Sequence, residues 1–68
     1  MRYYVNRNEQ ANGDHEVHKA YGCPTPAEPE NQVDLGDHPN CHSAVAAAKR
    51  IFPQSDGCAN CSPECHTT

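Results

Sequence analysis

Ten of the 68 residues are Cys or His, five of each, against seven strong apolar side chains: Val5, Val17, Val33, Leu35, Val45, Ile51 and Phe52. Those seven are about 10% of the chain, below the roughly 20% that marks a disordered composition. A chain this short forms at most one small domain. With so few anchors it does not fold on a large apolar core alone, and needs a crosslink or a metal to be ordered. The expectation is a single mini-domain over residues 1–68. No run of about 18 apolar residues exists, so no membrane-spanning segment is expected.

The N-terminal string Met1-Arg2-Tyr3-Tyr4-Val5-Asn6-Arg7 has one Arg followed by only three apolar residues, too few for the core of a signal peptide. The expected location is therefore cytoplasmic. Thiols there are usually reduced, so clustered Cys favour metal or redox chemistry over structural disulfides. Five Cys cannot all pair within one chain. Asn60-Cys61-Ser62 matches a glycosylation sequon, which matters only in a secreted protein. The net charge is −4, with five scattered cations. Nucleic-acid binding needs Lys and Arg to displace counterions from phosphates, so that role is disfavoured.

Residues 2–8 read as a strand, with Tyr3 and Val5 on one face. Asn12-Gly13 is a strong hairpin signal. Residues 15–21 read as the returning strand, with Val17 and Tyr21 expected to meet Tyr3 and Val5 on the buried side. Gly22, Pro24, Pro26 and Pro29 mark residues 22–32 as a loop. Residues 33–35 offer a short third strand, because a lone hairpin is marginal in water. The clearest element is a helix over 41–52. Asn40 is its N-cap, Pro53 stops it, and Lys49 and Arg50 suit its last turn. Cys41, Ala44, Val45, Ala48, Ile51 and Phe52 form one stripe of period 3.6. Gln54-Ser55-Asp56-Gly57 reads as a turn, followed by a Cys-rich tail over 58–66. The fold class is thus α+β: a small β-hairpin or three-stranded antiparallel sheet against one amphipathic helix.

Cys58-x2-Cys61 is a zinc half-site spacing, since two thiolates three residues apart can grip one tetrahedral ion. Cys65 and His66 follow closely. A twelve-residue helix is about 18 Å long, and the five residues 53–57 span at most about 17 Å. Cys58 can therefore return to the helix start, where Cys41 lies. The expected metal ligands are Cys58, Cys61, Cys65 and Cys41, with His66 and Cys23 as alternates for the fourth, and zinc as the ion. A disulfide within the tail or back to Cys41 is the competing use of these thiols, and Cys41 also reads simply as a small buried hydrophobe. His15 and His18 read as polar positions on opposite faces of a half-exposed strand, and His38 and His42 flank the helix start. The haem pattern C-x-x-C-H fails at Ser62, and the zinc-protease pattern H-E-x-x-H fails because His15 and His18 are three apart.

The assembled string is Tyr3-Tyr4-Val5-Asn6, Glu16-Val17-His18, Cys23, Leu35-Gly36, Cys41 with Ala44-Val45 and Ala48, then Asp56-Gly57-Cys58 with Cys61 and Cys65-His66. It resembles a group of short uncharacterised bacterial Cys/His-rich proteins, which share this layout over nearly their whole length and have no established activity. The resemblance implies a stand-alone bacterial polypeptide and assigns no chemistry to any residue. So small a chain has too little wall to enclose a ligand pocket of several hundred Å³. The favoured function is a non-enzymatic, metal-stabilised binding or accessory module; its partner is unknown, with another protein as the candidate. The alternatives are a thiol-redox or thiol-sensing protein using Cys58 and Cys61, and a disulfide-stapled domain.

Overall fold

The computed structural model describes residues 1–67; Thr68, the last residue of the expected mini-domain, lies outside them. Four strands, β1 (Arg2–Asn6), β2 (His15–Lys19), β3 (Gln32–Asp37) and β4 (Ser55–Gly57), form one sheet in the order β3-β1-β2-β4. β1 pairs antiparallel with β2 and β3, whereas β2 and β4 run parallel. One helix, α1 (Cys41–Lys49), lies across the sheet, and short 3-10 turns occupy Pro29–Asn31 and Pro63–Cys65. The α+β expectation holds, with a mixed four-stranded sheet in place of a two- or three-stranded antiparallel one.

Strand alternation divides the sheet into two faces. Tyr3, Val5 and Val17 point to the helix, where they join Cys41, Ala44, Ala48 and Cys65 in the apolar core. The small Ala44 and Ala48 side chains, both fully buried, let the helix sit close to the strands. Asn40 caps α1 through its side-chain oxygen, which accepts the Ser43 N–H at 3.1 Å. The helix ends at Lys49, three residues before the expected end. Ile51 and Phe52 continue as a turn bonded to the Ala48 carbonyl, and Ile51 is left exposed. Phe52 instead stacks on the His15 ring with centroids 4.1 Å apart.

The connection from β1 to β2 is broader than a two-residue turn. Gln10 N–H donates to Asp14 O and Gly13 N–H to Gln10 O, while Asn12 Oδ1 accepts the Asp14 N–H. Gly13 takes φ +91°, which an L side chain rarely adopts. The returning strand stops at Lys19, because the chain turns at Ala20–Gly22. Tyr21 is therefore 73% exposed instead of covering Tyr3 and Val5.

Ser55–Gly57 reads as a turn from its residue types, yet it is an edge strand. Its pairing is a backbone matter: the open edge of β2 offers hydrogen bonds that no side-chain pattern signals. Gly57 is required there by close approach. A Cβ at this position would lie 2.6 Å from Cys65 Cβ and 2.8 Å from Ser62 O. The tail then folds tightly over the strand end, and Cys58, Cys61 and Cys65 are all buried.

Candidate metal centre

On the sheet face away from the helix, Tyr4 and His18 stand directly opposite each other in the β1–β2 register. Their rings stack with centroids 5.2 Å apart. His18 is only 2% exposed, so it is a buried residue and not the half-exposed polar position expected. What covers it is chain of low apolar content. The turn after β2 carries Cys23, and the segment after β4 carries Cys58 and Cys61.

The parallel pairing of β4 with β2 delivers the second pair. Beyond Gly57, the Cys58 N–H still donates to the Val17 carbonyl at 2.9 Å. The chain then leaves the edge in a turn closed by the Ser62 N–H on Cys58 O at 2.8 Å. At the next ladder position the Lys19 N–H donates to Cys61 Sγ at 3.4 Å, so a sulfur stands where a strand carbonyl would have been. The Asn60 N–H donates to Cys58 Sγ, also at 3.4 Å. Both buried sulfurs thus receive a backbone N–H.

Four donor atoms converge. His18 Nδ1 lies 3.4 Å from Cys23 Sγ and 3.7 Å from Cys61 Sγ, and Cys23 Sγ lies 3.9 Å from Cys58 Sγ. All four donors lie within 4.8 Å of one another. A tetrahedral zinc ion with Zn–S of 2.3 Å and Zn–N of 2.0–2.1 Å implies S···S edges of about 3.8 Å and S···N edges of about 3.6 Å. These three separations match those edges to within about 0.2 Å. This Cys/His group is geometrically able to hold one metal ion.

Outer contacts fix the donors. His18 Nε2 lies 3.8 Å from Glu16 Oε1, so the nitrogen remote from the sulfurs faces a carboxylate, the partner that commonly orients a metal-binding imidazole. Thr25 Oγ1 sits 3.8 Å from both Cys23 Sγ and Cys58 Sγ, and accepts the Asn60 side-chain N–H at 2.9 Å. The Tyr4 hydroxyl accepts the Ala27 N–H at 3.0 Å and ties the loop over the site.

The electrostatics follow from burial. Desolvation lowers the His18 pKa and keeps the ring neutral, the state in which it can donate a lone pair. Desolvation likewise pushes the Cys61 thiol up to about 12, with its sulfur neighbours adding to the rise. Burial also opposes ionisation of Cys23, but contacts from Cys61, Thr25 and Cys58 outweigh it and pull this thiol below its ordinary value. A cation among the three sulfurs is what would let them ionise together.

The residues expected to form one site separate into two groups. Cys58 and Cys61 come together, joined by Cys23, which the sequence offered as an alternate, and by His18, which it did not offer. Cys41 and Cys65 instead form a disulfide, 24 residues apart in sequence, on the helix side of the sheet. The physical reason is that the tail wraps the β4 edge, leaving Cys58 and Cys61 on one face and returning Cys65 to the other. His42 lies beside the bridge, but both sulfurs there are committed to each other. His66 faces Gly57 O at 3.1 Å and Asp56 at 3.3 Å, apart from the four-donor group. The signal for His18 was its pairing opposite Tyr4 with a Cys five residues on; the missing piece was the parallel strand that brings Cys58 alongside. Within the sequon, Ser62 is fully buried, whereas Asn60 is exposed and its amide donates to Thr25 Oγ1.

Among the described residues, no helix is long and apolar enough to cross a membrane. Comparison of the chain with protein-family models, with curated proteins and with solved structures finds no match in any of the three.

Proposed function

We propose that this is a small non-enzymatic binding or accessory protein whose sheet face is closed by a zinc ion held by His18, Cys23, Cys58 and Cys61. One observation carries the reading: an imidazole and three thiols from three separate segments lie within 4.8 Å of one another, with the three shortest contacts at 3.4, 3.7 and 3.9 Å. A closed set of four protein donors is what structural zinc sites use, whereas catalytic ones leave a position open. The chemistry a bound ion supplies is cohesion. The residues do the rest: Glu16 Oε1 stands 3.8 Å from His18 Nε2, and backbone N–H groups donate to the Cys58 and Cys61 sulfurs.

The thiol-redox reading of Cys58-x2-Cys61 is weaker. A catalytic pair of this kind sits partly exposed at a helix N-terminus. Here both thiols are buried and the segment leads only into the three-residue turn Pro63–Cys65. The expected partner is another protein, as five scattered cations give no footprint for nucleic acid. A cytoplasmic location accords with three free thiols. The Cys41–Cys65 bridge pulls the other way, because such bonds persist mainly in oxidising compartments.

The test is native mass spectrometry of the full chain purified without chelator. The expected mass is the chain with one zinc ion and one disulfide. A bare chain whose fold is indifferent to chelator would overturn the proposal. Turnover of insulin-disulfide reduction, abolished by Cys58→Ser, would favour the redox reading instead.

A further inference from the structure

The four donors are not equally protected. Cys58 and Cys61 are 1% and 6% exposed and His18 is 2% exposed, while Cys23 alone is half-buried. Cys58 is anchored by the ladder bond to Val17. Cys23 sits outside any helix or strand, one residue after Gly22 at φ +84° and just before Pro24. Its sulfur is 3.9 Å from Cys58 Sγ, and a disulfide requires about 2.05 Å. The gap to be closed is under about 2 Å, and it lies on the side of the pair that belongs to a loop.

We propose that Cys23 is the hydroperoxide-reactive position of this protein, and that its oxidation joins it to Cys58 and opens the metal centre. The inference rests on the metal reading above. A hydroperoxide, ROOH, reaches Cys23, the one of the four donor residues that is not buried. The Cys23 thiolate attacks the O–O bond, the distal oxygen passes to sulfur as sulfenic acid, and the leaving RO⁻ takes a proton to become ROH. The Cys58 thiolate then attacks the sulfenic sulfur, and hydroxide leaves as water with a second proton. In sum, two thiolates, one hydroperoxide and two protons give one disulfide, one alcohol and one water. Two sulfurs are oxidised and one O–O bond is reduced. The centre is left with His18 and Cys61, two donors where a structural zinc site uses four. Cys41 and Cys65 take no part, since they are already bonded to each other.

The experiment treats the zinc-loaded full chain with one equivalent of hydrogen peroxide, reads released zinc with a chromogenic chelator, and maps the disulfides by peptide mass. The expected result is one zinc ion released per chain, together with a new Cys23–Cys58 bond and an intact Cys41–Cys65 bond. Zinc release with Cys23 recovered as a free thiol, or with a Cys58–Cys61 bond in its place, overturns the inference. So does a loaded chain that keeps both zinc and reduced Cys23 in excess peroxide, although the metal reading then stands. A chain that loads no zinc at the outset overturns the metal reading itself.

Discussion

The two faces of one four-stranded sheet are closed by different chemistry. The face carrying Tyr3, Val5 and Val17 is covered by α1, by ordinary apolar contact, with Cys41–Cys65 as a covalent clasp. The face carrying Tyr4 and His18 is covered by a Pro-rich loop and a Cys-rich turn with almost no aliphatic side chains. Its cohesion comes from directional contacts: ring stacking, N–H···S bonds and four converging donors. A chain with seven strong apolar residues can furnish one apolar layer. The second layer is built from ligand-type residues, four of which bring their donor atoms close enough to hold one metal ion.

The comparison breaks most sharply on metal removal. Structural zinc in small peptides is worth an apparent 10–16 kcal/mol or so at neutral pH, enough to decide whether such a segment is ordered. Chelation, or Cys58→Ser, is expected to collapse hydrogen-exchange protection over residues 58–62 and the Cys23 loop before that of α1. Equal loss on both faces would show that they are one cooperative unit. The opposite face is probed by removing Cys41 and Cys65 together as a double Ala variant. A bond closing a 24-residue separation is worth about 3–4 kcal/mol in chain entropy. The melting temperature is expected to fall while zinc stoichiometry stays at one; loss of zinc binding would mean the clasp also positions the donors.

Gly57→Ala strikes the seam between the faces. The new Cβ meets Cys65 on one side and the Ser62 carbonyl on the other. Overpacking of this kind costs about 1–3 kcal/mol. Both the melting temperature and zinc affinity are expected to drop, and an unchanged affinity would place the seam wholly on the disulfide side. The smallest effect is one of pH in the metal-free protein. Burial holds the His18 pKa below the ordinary value of about 6.5. The unfolded chain therefore takes up its proton first. This contribution is full above about pH 6.5 and declines as pH falls, no more steeply than the roughly 1.4 kcal/mol per pH unit of a single proton. Denaturant titrations of wild type and His18→Gln between pH 7 and 5 check it, and equal slopes in the two would remove His18 as the source.

The helix was legible because its signals are local: an Asn40 cap, a small-residue stripe and Pro53 beyond the end. The β1–β2 pairing was legible from alternation about Asn12-Gly13. β4 was not, since Ser55, Asp56 and Gly57 carry no strand preference and are paired only because β2 has an open edge. That one omission accounts for the rest. Without the parallel ladder nothing brings Cys58 beside His18, and the helix-start geometry makes Cys41 and Cys65 look like ligands of the same site. Their nearness was real, but it was the nearness of a disulfide.

The parallel pairing has a consequence for biogenesis. His15 and Ser55, partners in the β2–β4 ladder, stand forty positions apart, with β3 and α1 between them. Pairing at such separation is slow, because the intervening chain must be closed into a loop first. During synthesis, a polypeptide ended before residue 55 carries His18 and Cys23 but neither of the other two donors, and the edge of β2 has nothing to bind. The segment from Ser55 to Cys61 is thus made well after the hairpin, yet it supplies both the strand that pairs with β2 and two of the four donors. Emergence of Cys61, and not folding of the hairpin, sets the earliest moment at which all four groups could hold a metal ion.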